Sequence, residues 1–147
     1  MVETCSVVGS ERLKVFIVDK SSLFVARFSE AVGRIEGVEM VGKTSSAIEA
    51  MEAIERTQPD VVVLDIRLRV GTGFDVLRMV KSNMYTPTVA IVMTNYPYEQ
   101  YRRVSMRMGV DYFFHKTTQF GELITLLKDL ASKNRELAVS STVAVTI

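Results

Sequence analysis

The chain has 147 residues, 48% of them apolar and 24% charged, which is the balance of a globular domain with one core and excludes a largely disordered chain. Its 18 basic and 17 acidic residues leave a net charge of +1, which gives no electrostatic footprint for nucleic acid or anionic lipid. Cys5 is the only cysteine, so an intramolecular disulfide is excluded and a thiolate zinc site has too few ligands.

Residues 1–11 carry no periodic pattern and are expected to form a flexible N-terminal segment. The opening MVETCSVVGSERLK lacks a basic region followed by an apolar stretch, so it does not read as a secretory signal. No apolar run approaches the roughly 18 residues of a membrane span, and the expected location is cytoplasmic.

Five short β-branched, apolar runs follow: Leu13–Val18, Val38–Val41, Val61–Leu64, Thr88–Met93 and Val110–Phe114. The runs at 13–18, 61–64 and 88–93 are nearly continuous rather than alternating, as in parallel strands covered on both faces. Helical periodicity fills the intervals. Phe24, Phe28 and Ala31 form a first stripe, with Ser21 or Ser22 as its cap. Ala47, Ala50, Met51 and Ile54 form a second, opened by Ser46 and Glu49 at capping-box spacing. Thr72 and Asp75 mark a third start. Pro97 is placed to open a helix through Tyr101, Val104 and Met108. Phe120, Leu123, Ile124, Leu127 and Leu130 make the clearest stripe.

The order is therefore β-α five times. That pattern predicts an α/β fold: a flavodoxin-like, doubly wound, five-stranded parallel sheet of order 2-1-3-4-5 with five helices. One domain over 12–132 is expected, followed by a C-terminal tail over 133–147, in which Val139–Ile147 has β-propensity but no partner.

In open α/β sheets, ligands bind beyond the carboxyl ends of the strands. Strand 1 ends in Asp19-Lys20, strand 3 in Asp65, strand 4 in Thr94-Asn95 and strand 5 in His115-Lys116. Two carboxylates, a hydroxyl and ammonium groups thus converge on one edge. The glycines at 71 and 73 do not complete a phosphate-binding G-x-G-x-x-G. His115, the one histidine, ends a strand and is read as structural. Tyr96, Tyr98, Tyr101, Tyr112, Phe113 and Phe114 form an aromatic group around the fourth helix and fifth strand.

The motifs VFIVDKSS, VVVLDIRLRVGTGFDVL, AIVMTNYP and DYFFHK, in this order on a βα repeat, resemble the receiver domain of two-component response regulators over roughly residues 13–131. The resemblance implies that Asp65 accepts a phosphoryl group, Thr94 bonds the new phosphoryl oxygen and Lys116 pairs with it. It implies that Thr94 and Phe113 form the switch. It makes Gly73 the glycine that opens the third helix. It assigns Mg²⁺ to Asp19, Asp65 and the backbone carbonyl of Arg67. The implied partners are a histidine kinase or phosphotransfer protein on the input side, and a downstream protein or a second copy on the output side. Tyr98, Tyr101 and Phe113 lie on the implied partner face.

Three positions depart from the family pattern. Lys20 replaces the acid that contacts the metal directly, Arg69 stands where proline is frequent, and Thr117 stands where a proline often follows the lysine. An ammonium cannot ligate Mg²⁺. Two unit charges about 4 Å apart at an effective dielectric of about 20 interact by roughly 4 kcal/mol, so Lys20 is expected to weaken the metal site. The leading expectation is a stand-alone receiver domain in phosphorelay signalling, and not an enzyme. The alternative is a pseudo-receiver, a phosphorylation-independent interaction module in which Lys20 pairs with Asp65. Two further alternatives carry less. A phosphohydrolase with Asp19 as nucleophile lacks the second aspartate, Ser21 standing in its place. A flavodoxin-like FMN carrier lacks the phosphate loop.

Overall fold

The structure, a computed structural model, describes residues 12–82, 87–95 and 98–146, with side chains through residue 138. The expectations for residues 1–11, Tyr96 and Pro97 lie outside the described residues. The elements alternate: β1 Leu13–Val18, α1 Ser22–Gly33, β2 Val38–Thr44, α2 Ala47–Thr57, β3 Val61–Leu64, α3 Gly73–Ser82, β4 Val89–Thr94, α4 Tyr98–Arg107, β5 Tyr112–His115 and α5 Phe120–Thr146. The five strands form one sheet in the order β2-β1-β3-β4-β5, and every pair is parallel. This is the expected fold.

Period-two alternation divides the central strands between two cores. Val15, Ile17, Val61, Val63, Ile91 and Met93 face α1 and α5, where they meet Phe28, Leu123 and Leu127. Phe16, Val18, Val62, Leu64, Ala90 and Val92 face the other way, against Ala50, Ile54, Val76 and Leu77 of α2 and α3. A strand buried on both faces has no polar side to alternate with, which is why these runs read as continuous.

The bounds of β2, β4 and β5 differ from the sequence reading, those of β4 by one residue at each end. β2 continues to Thr44 because a register irregularity at Val15/Phe16 lets Gly42, Lys43 and Thr44 pair with Phe16, Ile17 and Val18. A Cβ at Gly42 would collide with the Phe16 ring, so the glycine makes room for it. β5 begins only at Tyr112. The Val110 N–H turns back to the Ser105 carbonyl at 3.1 Å, and the Asp111 N–H donates to the Ala90 carbonyl at 3.1 Å.

The serine caps form, while each capping box makes only one of its two bonds. Ser21, rather than Ser22, caps α1 by accepting the Phe24 N–H at 3.2 Å. Ser46 caps α2 through the Glu49 N–H at 3.4 Å. Asp75 reaches back to the Thr72 N–H at 3.2 Å.

The C-terminal tail expected at 133–147 is corrected: α5 continues as helix to Thr146. No glycine or proline interrupts residues 122–147, and Leu, Ala, Lys, Glu and Arg propagate a nucleated helix. Its first half is anchored by buried Leu123, Leu127 and Ala131, and Arg135 donates to the Glu36 carbonyl at 3.0 Å.

Candidate functional site

The site lies where β1, β3, β4 and β5 end. Asp19 follows β1, and its N–H donates to the Thr44 carbonyl at 2.9 Å. Asp65 follows β3, and its N–H donates to the Val18 carbonyl at 2.9 Å. The ladder thus continues one residue past each strand and sets both carboxylates at the same edge. The Lys116 N–H donates to the Thr94 carbonyl at 2.8 Å, which carries β5 alongside β4 into the same layer.

The Lys116 ammonium joins the two carboxylates. Its Nζ lies 2.8 Å from Asp19 Oδ2, 3.0 Å from Asp19 Oδ1 and 2.9 Å from Asp65 Oδ2. The Asp19 side chain is 2% exposed, Asp65 10% and Lys116 12%, so this pairing is taken largely out of water. Both carboxylates also accept from the backbone. Ser21 N–H donates to Asp19 Oδ1 at 2.8 Å, and Ile66 N–H donates to Asp65 Oδ1 at 2.6 Å. The Phe24 ring lies 4.7 Å from the ammonium and closes the apolar side.

Burial pushes the Asp19 carboxyl above its usual range, and the Lys116 hydrogen bond, the Ser21 N–H and the Lys116 charge only partly offset that. For Lys116, burial acts to lower the pKa. The bonds to Asp19 and Asp65 and their two charges outweigh it, and the ammonium is held above its usual range. One cation serves two carboxylates, and the stack keeps its lysine charged.

Thr94 is 2% exposed at the end of β4. Gly73 sits against the site from below. Its N–H donates to the Ile66 carbonyl at 2.8 Å, and a Cβ there would run into the Asp65 carbonyl. Only glycine lets α3 start so close to the acid.

Lys20 does not join this cluster. It is exposed and forms no ion pair among the described residues. The Lys20–Asp65 pair of the alternative reading is not formed: Asp65 pairs with Lys116. Asp19 is the last residue carried inward by the ladder, and Lys20, next along, faces outward before Ser21 turns the chain into α1. Arg67 is exposed, and its side chain points away along the surface, donating from Nε to the Tyr101 hydroxyl at 3.1 Å. That bond raises the guanidinium pKa further. Sequence reasoning missed this link. The two residues are 34 apart, and only the docking of α4 brings them together.

On the α4–β5 face, Tyr98 and Phe113 meet edge-to-face with ring centroids 5.1 Å apart. Tyr101 meets Phe74 in the same way at 5.7 Å. All three residues named for that face are half-buried. Ser105 was also missed. It is fully buried where Val104 had been read as facing the core, and Val104 is 38% exposed. The stripe runs Tyr101, Ser105, Met108, a phase that a polar residue in its middle conceals. His115 Nδ1 accepts the Thr117 N–H at 3.2 Å and the Thr118 N–H at 3.4 Å.

Among the described residues, no group of three or more His, Cys, Asp or Glu side chains is placed to hold a metal ion. Asp19 and Asp65 supply two carboxylates. Mg²⁺ is commonly bound by one or two carboxylates completed by water and phosphate oxygens, and this pair offers that donor chemistry. No helix among the described residues is long and apolar enough to cross a membrane.

Residues 15–128 match the response regulator receiver domain. Among curated proteins, the chain is 28% identical over 137 residues to protein-glutamate methylesterase/protein-glutamine glutaminase 1 of Syntrophomonas wolfei, covering 87% of this chain and 39% of that protein. It is 28% identical over 121 residues to the DNA-binding transcriptional activator DevR/DosR of Mycobacterium tuberculosis, covering 82% of this chain and 55% of that protein. The chain thus spans from about two fifths to just over half the length of these relatives. Among solved structures, the response regulator domain of Thermotoga maritima CheB superposes with a TM-score of 0.70 at 20% identity, over 85% of this chain and 97% of that one. The signal receiver domain of the putative response regulator NarL from Mycobacterium tuberculosis gives 0.72 at 24% identity, over 82% and 97%.

Proposed function

The chain belongs to the family of response regulator receiver domains, and from that premise we propose that it is a phosphorylatable switch whose acceptor is Asp65. The observation that carries this reading is the Lys116 ammonium 2.9 Å from Asp65 Oδ2, at the carboxyl edge of the sheet.

The step is a phosphoryl transfer. An Asp65 oxygen forms a bond to phosphorus, the bond from phosphorus to the donor nitrogen or oxygen breaks, and its electron pair leaves with the donor. The product is an acyl phosphate. Lys116 meets the charge on the arriving phosphoryl oxygens, and the Thr94 hydroxyl donates to one of them. Positioning and charge are the main demands of this chemistry. Asp19 anchors the ammonium from the far side. Asp19, Asp65 and the Arg67 carbonyl would hold Mg²⁺, which when bound neutralises phosphoryl oxygens. With Lys20 in place of an acid, we propose weak affinity for the ion.

The donor is a histidine kinase or phosphotransfer protein, and the readout is a protein contact on α4, β5 and α5. Thr94 and Phe113 form the bistable element that a phosphoryl group at Asp65 biases. The version of the phosphorylation-independent alternative in which Lys20 pairs with Asp65 is not favoured by this geometry, because Lys20 is exposed and Asp65 pairs with Lys116.

Intact mass after incubation with a small acyl phosphate tests the reading, with and without Mg²⁺ and beside Asp65→Ala. A phosphoryl adduct in the parent chain and none in Asp65→Ala is expected. An adduct that persists in Asp65→Ala, or none under any condition, overturns it. In Phe113→Ala, labelling should persist while partner binding changes.

A further inference from the structure

Beside the Asp19 edge, on the side away from β4 and β5, lies an open groove of about 320 Å³. Its lining includes three cations from three separate segments: Lys20 after β1, Lys43 near the end of β2, and Arg69 in the loop before α3. None of the three forms an ion pair among the described residues, and all three are exposed. The chain as a whole is nearly neutral, so three unmatched cations on one groove are a local excess. The one carboxylate in the lining, Asp19, is already engaged by Lys116. Glu49 and Glu52 line a neighbouring pocket that shares Lys43 and Thr44, and Glu49 accepts the Thr44 hydroxyl at 2.9 Å.

The frame beneath these cations is fixed by backbone. Asp19 N–H donates to the Thr44 carbonyl at 2.9 Å, Arg69 N–H to the Ser45 carbonyl at 2.9 Å, and Ala47 N–H to the Val70 carbonyl at 2.8 Å. A further parallel bridge joins Ser46 to Val70. The β2–α2 and β3–α3 loops are thus clipped to each other and to the end of β1. Val25 and Ala26 give the groove an apolar side, and Ser22 and Ser45 add hydroxyls. Unpaired cations around a small concave site with polar donors and an apolar wall are the features that select a small anionic ligand. Lys20 and Arg69, two of the three departures from the family pattern, both line it.

We propose that this groove is a binding site for a small phosphate-bearing anion, held by Lys20, Lys43 and Arg69, and separate from the Asp65 acceptor. A polyanion of two phosphate groups is the simplest member of the class. The groove shares only Asp19 with the acidic cluster at Asp65.

The probe is pyrophosphate, titrated without Mg²⁺ into the ¹⁵N-labelled chain and followed by NMR. Saturable shifts of the Lys20, Lys43 and Arg69 amides are expected at low salt, with affinity falling as salt is raised. The double variant Lys43→Ala/Arg69→Ala should bind at least tenfold more weakly. Both side chains are exposed, and Arg69→Ala keeps the N–H that clips the loops. If that variant loses its dispersed spectrum, Lys43→Gln alone is used and should still weaken binding. Shifts confined to the surroundings of Asp65 and Lys116, unchanged affinity in the variants, or preference for a hexaglutamate peptide over pyrophosphate each overturn the proposal. Acyl phosphate labelling of the double variant separates the two readings: labelling that persists while pyrophosphate binding is lost shows two sites. Pyrophosphate binding in a chain that never labels leaves this site standing and removes only the acceptor role.

Discussion

Helices α4 and α5 flank the same strand, β5, yet they are attached in different ways. α5 drives Leu123, Leu127 and Ala131 into the core, all at most 1% exposed. α4 has a single buried residue, Ser105, and the Ser105 hydroxyl finds no hydrogen-bond partner among the described residues. Val104 and Met106 are 38% and 54% exposed. What holds α4 is mainly lateral: the Tyr98–Phe113 and Tyr101–Phe74 ring contacts and the Arg67–Tyr101 hydrogen bond. Elements with few buried apolar contacts open at low free energy. The difference teaches where this domain can move. The helix that gives the sheet its cover is anchored through its core, and the helix on the proposed output face rests on a shallow, partly polar seat.

The largest expected effect comes from the anchored side. Leu127→Ala should cost about 2–5 kcal/mol of folding stability, because the cavity opens in a close-packed core. Urea unfolding measures it, and a cost below about 1 kcal/mol would erase the contrast between the helices.

The second concerns the acid edge between them. Asp19 has its folded-state pKa raised by burial, so its contribution favours the native state fully below the usual 3.8 and is lost as pH rises through the raised value. Where Asp19 is ionised, its charge is therefore a net burden on the fold. Asp19→Asn should melt at a higher temperature than the parent chain at pH 7. The gap should close as the pH falls toward 3.8. A variant that melts lower at neutral pH would mean that the Lys116 pairing outweighs burial.

The third and fourth predictions address α4. Ser105→Ala removes a buried hydroxyl that has no partner and should be neutral or stabilising by up to about 1 kcal/mol. Destabilisation beyond that would reveal a partner for the hydroxyl. Val104→Ala should change stability by less than about 0.5 kcal/mol, since its side chain stays in contact with water. In native-state hydrogen exchange of the parent chain, α4 amides should open at lower free energy than those in the first half of α5.

Much of this architecture was legible in the residues. Continuous apolar strands, capping pairs such as Ser46 with Glu49, and the apolar stripe of α5 are local signals. They gave the element order, and the handedness of crossovers then left few topologies. The residues at the strand ends were legible for the same reason: in a parallel sheet, the residue that follows each strand arrives at the same edge. The length of α5 was misjudged because the β-branched end of the chain was weighed by strand propensity alone, although nothing interrupts the helix. The phase of α4 was misjudged because a serine occupies its buried position.

The sequence by itself determined the sheet, its order and the meeting of Asp19, Asp65, Thr94 and Lys116 at one edge, since each of these follows from short-range pattern and parallel topology. Only the tertiary structure decided which ammonium sits between the carboxylates. Lys20 is adjacent to Asp19 in the chain but faces outward, whereas Lys116, 97 residues away, arrives through β5. It likewise decided that Lys20 shares a groove with Lys43 and Arg69, and that Arg67 holds Tyr101. The direction a side chain takes at a strand end depends on the twist and pairing of neighbouring segments, and no local pattern encodes it.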